Sequence, residues 1–323
     1  MTADLTLSRR VWIVSTATAM LAGCGRSGCG DRRPPDGSEH DTSSSLELRE
    51  LDFADTPVGP QKAVVIVPKW GGAQERFPLL IALHGRGEAN HGLSVGAWGW
   101  VKDYWLDRAI VRARKPPLDA AALLGLTDAV QLDRLNGELA ARPLRGLVIA
   151  CPYTTDIIGS KEVSAALPFA EFLERHLVPA VRSSAPVLQQ RGATGIDGVS
   201  LGGRMALLAG FAKPALFGAI GTLQAAVRSD EPAVFAELAA AAAAKAGKPW
   251  PIRLLTSRDD PFRPALRALS EQMRHRGVEC AYDVVAGPHD YAFNRGPGAY
   301  EMLLWHDRVL RGEVPLAAPA PSG

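Results

Sequence analysis

Residues Ala193 to Phe211 read ATGIDGVSLGGRMALLAGF. An extended run, Ala193 to Val199, leads into Gly198-Val199-Ser200-Leu201-Gly202, and a helical run from Arg204 to Phe211 follows. Strand, tight turn and helix in this order form a nucleophile elbow. The flanking glycines let the backbone turn sharply, and the serine oxygen stays exposed near the positive end of the helix. On composition alone the strand is weak, because Gly195, Asp197 and Gly198 interrupt it. The Gly-x-Ser-x-Gly pattern also occurs at Gly92-Leu93-Ser94-Val95-Gly96. At average residue usage about one chain in ten of this length carries one match by chance, so context has to decide. The copy at Ser94 follows the polar stretch Arg86 to His91 and has neither strand nor helix around it. It reads as a decoy, which leaves Ser200 as the candidate nucleophile.

On both sides of the elbow the chain alternates apolar, strand-like runs with helical segments. That is the pattern of an α/β fold with a mostly parallel sheet covered by helices on both faces. The predicted strands are Leu46 to Phe53, Ala63 to Val67, Leu79 to Leu83, Gly146 to Cys151, Ala193 to Val199, Gly218 to Leu223, Ile252 to Thr256 and Glu279 to Val285. Helices are predicted over Phe169 to Val181, Arg204 to Phe211, Pro232 to Ala246, Arg263 to His275 and Ala299 to Leu310. The first three strands follow one another closely and are expected to form an antiparallel lead-in. Between Asn90 and Arg145 lies a segment too long for a simple connection, carrying Trp98, Trp100, Tyr104 and Trp105. It is expected to be a helical, aromatic-rich insertion whose rings mainly pack.

A serine hydroxyl needs a base to take its proton. Of the seven histidines, His289 lies just past the last predicted strand, in Gly287-Pro288-His289-Asp290-Tyr291. This is the sheet edge where the elbow also emerges and where such sheets bind ligands. A carboxylate must then orient the imidazole, and Asp260, directly after the strand Ile252 to Thr256, suits that position. Asp259 suits a salt link to Arg258 or a turn cap instead, and Asp197 is too close to the elbow to reach across a histidine. Two amides must meet the oxyanion, each worth about 10²–10³ in rate. Leu201 supplies one by position, and Arg86, in Leu83-His84-Gly85-Arg86-Gly87, most simply supplies the other.

Together, Leu83 to Gly87, the elbow at Ser200, the aspartate before Pro261 and the Gly-Pro-His-Asp-Tyr loop resemble the α/β-hydrolase superfamily. They are most similar to its putative esterase family, which includes esterase D and enterochelin esterases. The resemblance implies an α/β-hydrolase fold with an eight-stranded sheet, and Ser200, Asp260 and His289 as catalytic triad. It departs in two places: a Tyr, not the usual Trp, follows His289-Asp290, and the aromatic insertion has no simple counterpart. The expected chemistry is hydrolysis of a small-molecule or envelope-derived carboxylic ester through an acyl-enzyme on Ser200, with no metal or organic cofactor. An acyltransferase or serine peptidase would use the same groups. A non-catalytic envelope-binding module is the alternative from another class.

The ends of the chain differ from this body. Arg9 and Arg10, the apolar stretch Val11 to Leu21 and the tetrad Leu21-Ala22-Gly23-Cys24 have the layout of an export signal ending in a lipobox. Residues 1 to 23 are therefore predicted to be a lipoprotein signal peptide, with Cys24 as the lipid attachment site. Ser8-Arg9-Arg10-Val11-Trp12-Ile13 also fits a twin-arginine export signal. Eleven apolar residues fall short of the about 20 that span a bilayer. Residues 24 to 45 read as a flexible tether, 46 to 312 as the hydrolase domain and 313 to 323 as a disordered tail. Gly25 stands where Asp would favour inner-membrane retention, which points to the outer membrane or the cell surface. Cys29 lies in the tether, and Cys151 and Cys280 sit in separate strand-like runs, so no structural disulfide is expected. A formal net charge of +2 over 323 residues argues against a nucleic-acid partner.

Overall fold

The computed structural model describes residues 42–157 and 163–316. Cys24, the signal segment, most of the tether and residues 317–323 lie outside the described residues. Thr42 already packs on the body, donating its hydroxyl to Asp107 at 2.9 Å, and Leu316 is buried. The folded body therefore reaches slightly past both expected boundaries, 46 and 312.

Eight strands form one sheet: β1 (Leu46–Phe53), β2 (Gln61–Pro68), β3 (Leu79–Leu83), β4 (Val148–Pro152), β5 (Thr194–Gly198), β6 (Ala219–Leu223), β7 (Ile252–Asp259) and β8 (Ala281–Pro288). Their order is β1-β2-β4-β3-β5-β6-β7-β8. β1 pairs antiparallel with β2, and β2 with β4. From β4 to β8 all neighbours are parallel. The expected three-strand lead-in is thus corrected. Only β1 and β2 run antiparallel to their neighbours, and β3 inserts between β4 and β5. The reason is burial: every residue of β3 is buried, whereas in β1 only Leu46 is buried and the rest alternate half-buried with exposed positions. An unbroken apolar run fits the covered centre of a parallel sheet, and an alternating one fits its edge. β5 forms despite its polar residue because Asp197 bonds His306 at 2.9 Å. Gly195 leaves room for that imidazole, since a Cβ there would come within 2.8 Å of its Nδ1.

The helices are α1 (Arg86–Asn90), α2 (Leu93–Gly96), α3 (Gly99–Lys102), α4 (Leu106–Ala113), α5 (Ala129–Ala141), α6 (Leu167–Phe172), α7 (Val178–Ser184), α8 (Leu201–Ala212), α9 (Pro232–Ala246), α10 (Arg263–His275), α11 (Tyr291–Arg295) and α12 (Pro297–Val309). On one face of the sheet, Leu79, Ile81, Ile196 and Leu254 share a core with α6 to α10; on the other, Leu80, Ala82, Ile149 and Leu255 pack against α4, α5 and α12. The single helix expected over Phe169 to Val181 is divided. A π-turn, Leu173–Leu177, separates α6 from α7. Pro179, at the start of α7, has no N–H to return to the carbonyl four residues back, and the wider turn accommodates that gap. The insertion is helical as expected, contributing α2 to α5.

Candidate active site

β5 ends at Gly198 and α8 starts at Leu201, so Ser200 occupies the turn between them. Its φ of +55° is unusual for a non-glycine residue and is held by the surrounding structure. Val199 donates its N–H to Leu83 at 3.1 Å, and Ser200 donates to Leu223 at 2.9 Å, which pins the turn between β3 and β6. A Cβ on Gly202 would lie 2.2 Å from the Leu83 carbonyl oxygen. No other residue allows α8 to approach β3 this closely.

His289 follows β8 and turns its ring toward the elbow, with Nε2 3.1 Å from Ser200 Oγ. Its Nδ1 lies 2.9 Å from Asp260 Oδ1. An ionised carboxylate only accepts, so Nδ1 carries the proton and Nε2 offers its lone pair to the serine hydroxyl. Asp260 is buried, and it also accepts from Phe262 N at 3.0 Å and from the Thr256 hydroxyl. A register shift between Ser257 and Asp259 turns the chain so that Asp259 faces solvent and Asp260 faces the histidine. Asp197 is committed to its separate pair with His306. Ser94 sits exposed in the four-residue α2, with no strand before it.

Leu201 and Arg86 are the first residues of α8 and α1, and first-turn amides have no partner within their own helix. The Arg86 turn is built by neighbours that sequence reasoning missed. The Tyr104 hydroxyl accepts from Gly85 N at 3.1 Å and donates to the buried Glu88 carboxylate. Burial, reinforced by Glu88, holds the Tyr104 phenol well above its usual range, so it stays a donor. Tyr291, whose ring lies 5.7 Å from that of Tyr104, also meets this turn: a Cβ on Gly87 would come within 2.7 Å of its hydroxyl. Of the four aromatic residues in the insertion, Trp100 and Tyr104 are buried and stack edge to face at 4.9 Å. The Trp105 ring faces the Arg295 guanidinium at 4.0 Å. The clustering of aromatics was the visible signal; which of them touches the Arg86 turn was not.

The geometry places a serine hydroxyl beside an imidazole that a buried carboxylate orients, an arrangement able to serve attack on a carbonyl carbon. Residues 160–295 match the family model described as "Putative esterase". This segment is similar to that esterase family. It contains Ser200, Asp260 and His289. Solved structures extend the likeness over most of the chain. A ferulic acid esterase aligns with a TM-score of 0.61 at 15% identity, over 82% of this chain and 99% of its own. The S-formylglutathione hydrolase of Staphylococcus aureus gives 0.55 at 13%, over 81% and 97%. The ferric enterobactin esterase of Salmonella typhimurium gives 0.52 at 20%, over 84% of this chain and 62% of its own. No curated protein matches the chain. The shared architecture is the α/β-hydrolase fold, and the matched segment runs from before α6 to the end of α11. Among the described residues no group of His, Cys, Asp and Glu side chains could hold a metal ion, and Cys151 and Cys280 are free thiols.

Proposed function

We propose that this chain is a member of the esterase family its central segment resembles, and a serine carboxylic-ester hydrolase working through an acyl-enzyme on Ser200. The observation that carries the reading is the continuous relay from Ser200 Oγ through His289 to Asp260, at 3.1 Å and 2.9 Å. Oγ attacks the ester carbonyl carbon while its proton passes to His289 Nε2, and Asp260 stabilises the resulting imidazolium. The tetrahedral oxyanion takes hydrogen bonds from the Leu201 and Arg86 amides. As the intermediate collapses, the C–O bond to the leaving alcohol breaks and His289 returns the proton to that oxygen. Water then repeats the sequence on the acyl-enzyme, releasing the acid and regenerating Ser200. Esters and thioesters of the kinds named for the structural relatives, feruloyl, formylglutathione and enterobactin, are the first substrates to try.

The test is a panel of short-chain nitrophenyl esters, feruloyl esters and thioesters offered to the full chain and to its Ser200→Ala variant. Hydrolysis reduced about 10⁴-fold or more by the substitution is expected. An unchanged rate would remove Ser200 from the reaction.

We further propose that the chain is an exported lipoprotein anchored through Cys24 to the outer membrane or the cell surface, on the strength of its N-terminal sequence. Labelling of the protein by a fatty-acid analogue in cells should disappear in Cys24→Ser; retained label would reject the anchor.

A further inference from the structure

Gln224 is the residue directly after β6, fully buried and held at φ +50°, a left-handed backbone that side chains adopt infrequently. Its position is fixed on both sides. Its N–H donates to the Leu255 carbonyl at 2.7 Å, and the preceding Leu223 carbonyl receives the Ser200 N–H at 2.9 Å. The side-chain Nε2 makes two bonds, to Ser257 Oγ at 2.6 Å and to the Pro288 carbonyl at 2.9 Å. A carbonyl can only accept, so the nitrogen and not the oxygen of the amide must face Pro288.

Both acceptors lead to the reacting groups. Pro288 immediately precedes His289, and the Ser257 carbonyl receives the Asp260 N–H at 3.3 Å. The regular β7–β8 ladder is interrupted at this level, between Ser257 and Asp259. One side chain, rooted beside the serine, thus bridges the ends of the two strands that carry the aspartate and the histidine. Strain concentrated in a buried polar residue at such a place suggests a role in the site's geometry rather than in packing alone.

We propose that Gln224 is a positioning residue, which sets the separation of His289 from Ser200 by tethering the Pro288 carbonyl. The inference rests on the reading of Ser200, His289 and Asp260 given above. A displacement of about 1 Å in a reacting group lowers the rate by about 10²-fold while leaving substrate binding largely intact. A mere filler would affect stability and leave the turnover of folded protein alone.

The experiment compares the full chain with Gln224→Met, which keeps the volume and removes both donors, and with Gln224→Glu, which can still accept from Ser257 but cannot tether Pro288 as a carboxylate. Thermal unfolding shows which variants are folded, and kcat and KM are measured on the best nitrophenyl ester. The expected result in both variants is a kcat lowered about 10- to 10²-fold with KM within about twofold. A folded variant that keeps the parental kcat, or one whose loss lies in KM alone, would overturn the role of Gln224. Ser200→Ala is measured alongside: retained activity there would overturn the reading of the site, and this role with it.

Discussion

Arg295 donates its Nε–H to the backbone carbonyl of Asp103 at 2.6 Å, across 192 positions of sequence. The bond fastens α11, which follows His289, to the aromatic insertion, and the same guanidinium faces the Trp105 ring at 4.0 Å. Nearby, Gly296 approaches the Leu123 carbonyl so closely that a Cβ would come within 2.8 Å of its oxygen. The insertion therefore buttresses the histidine loop. Replacing Arg295 by Ala is expected to destabilise the protein by about 1–3 kcal/mol, the combined size of a charged hydrogen bond and a cation–π contact. Arg295→Lys should recover less than half, since an ammonium lacks the planar fork. Urea unfolding of the three proteins checks the ranking.

Asp260 and Asp259 are adjacent in sequence and opposite in environment. Asp260→Asn would present an amide to His289 Nδ1 and favour the wrong tautomer, so kcat should fall by about 10⁴ with the fold intact. Asp259→Asn, at an exposed position, should stay within about twofold of the parent. A comparable loss in both variants would mean that the effect is structural and not a matter of tautomer.

The parts of this site that were legible in the sequence are those where chemistry coincides with a strand end. Ser200, Asp260 and His289 each follow an apolar run, and their chain order matches the sheet order of β5, β7 and β8. Sheet order elsewhere was less accessible, because short links suggest pairing between neighbours whereas burial decides it. The unbroken run Leu79-Leu-Ile-Ala-Leu83 was the available signal that β3 lies centrally. Contacts such as Tyr104 with Gly85, Arg295 with Asp103 and Gln224 with Pro288 join residues 19, 192 and 64 positions apart. They depend on tertiary placement and leave no local pattern.

Two glycines in helices make opposite predictions. Gly202, in the first turn of α8, has no space for a Cβ, which would lie 2.2 Å from the backbone oxygen of Leu83. Gly202→Ala should therefore displace the elbow and lose most activity together with more than about 3 kcal/mol of stability. Gly137 lies within α5, with open space for 4 Å around the position that a Cβ would take. Gly137→Ala should stabilise by about 0.5–1 kcal/mol, the ordinary helix-propensity gain. Thermal unfolding and ester hydrolysis of each variant decide both.

His84 gives a pH dependence. Burial pushes its imidazole below the ordinary 6.5. Its Nε2 accepts from Thr154 N at 2.8 Å and its Nδ1 faces the Gly85 carbonyl at 2.9 Å, an arrangement that requires the neutral ring. The unfolded chain binds the proton first, so the contribution is complete above about pH 6.5 and is lost as pH falls toward the lower folded value. His84→Gln, which can still accept from Thr154, is expected to be less stable at pH 7.5 but to lose less stability between pH 7.5 and 5. Equal slopes for the two proteins in denaturant titrations would contradict this.

Ser200 is proposed as the nucleophile, although a second serine, Ser94, stands in the same pentapeptide pattern. A fluorophosphonate probe followed by peptide mapping addresses it directly, because the probe forms a stable covalent bond only with a serine whose proton a base can take. A single adduct is expected on the peptide containing Ser200, abolished in Ser200→Ala and in His289→Ala and undiminished in Ser94→Ala. An adduct on Ser94, or labelling of Ser200 that persists in His289→Ala, would contradict it.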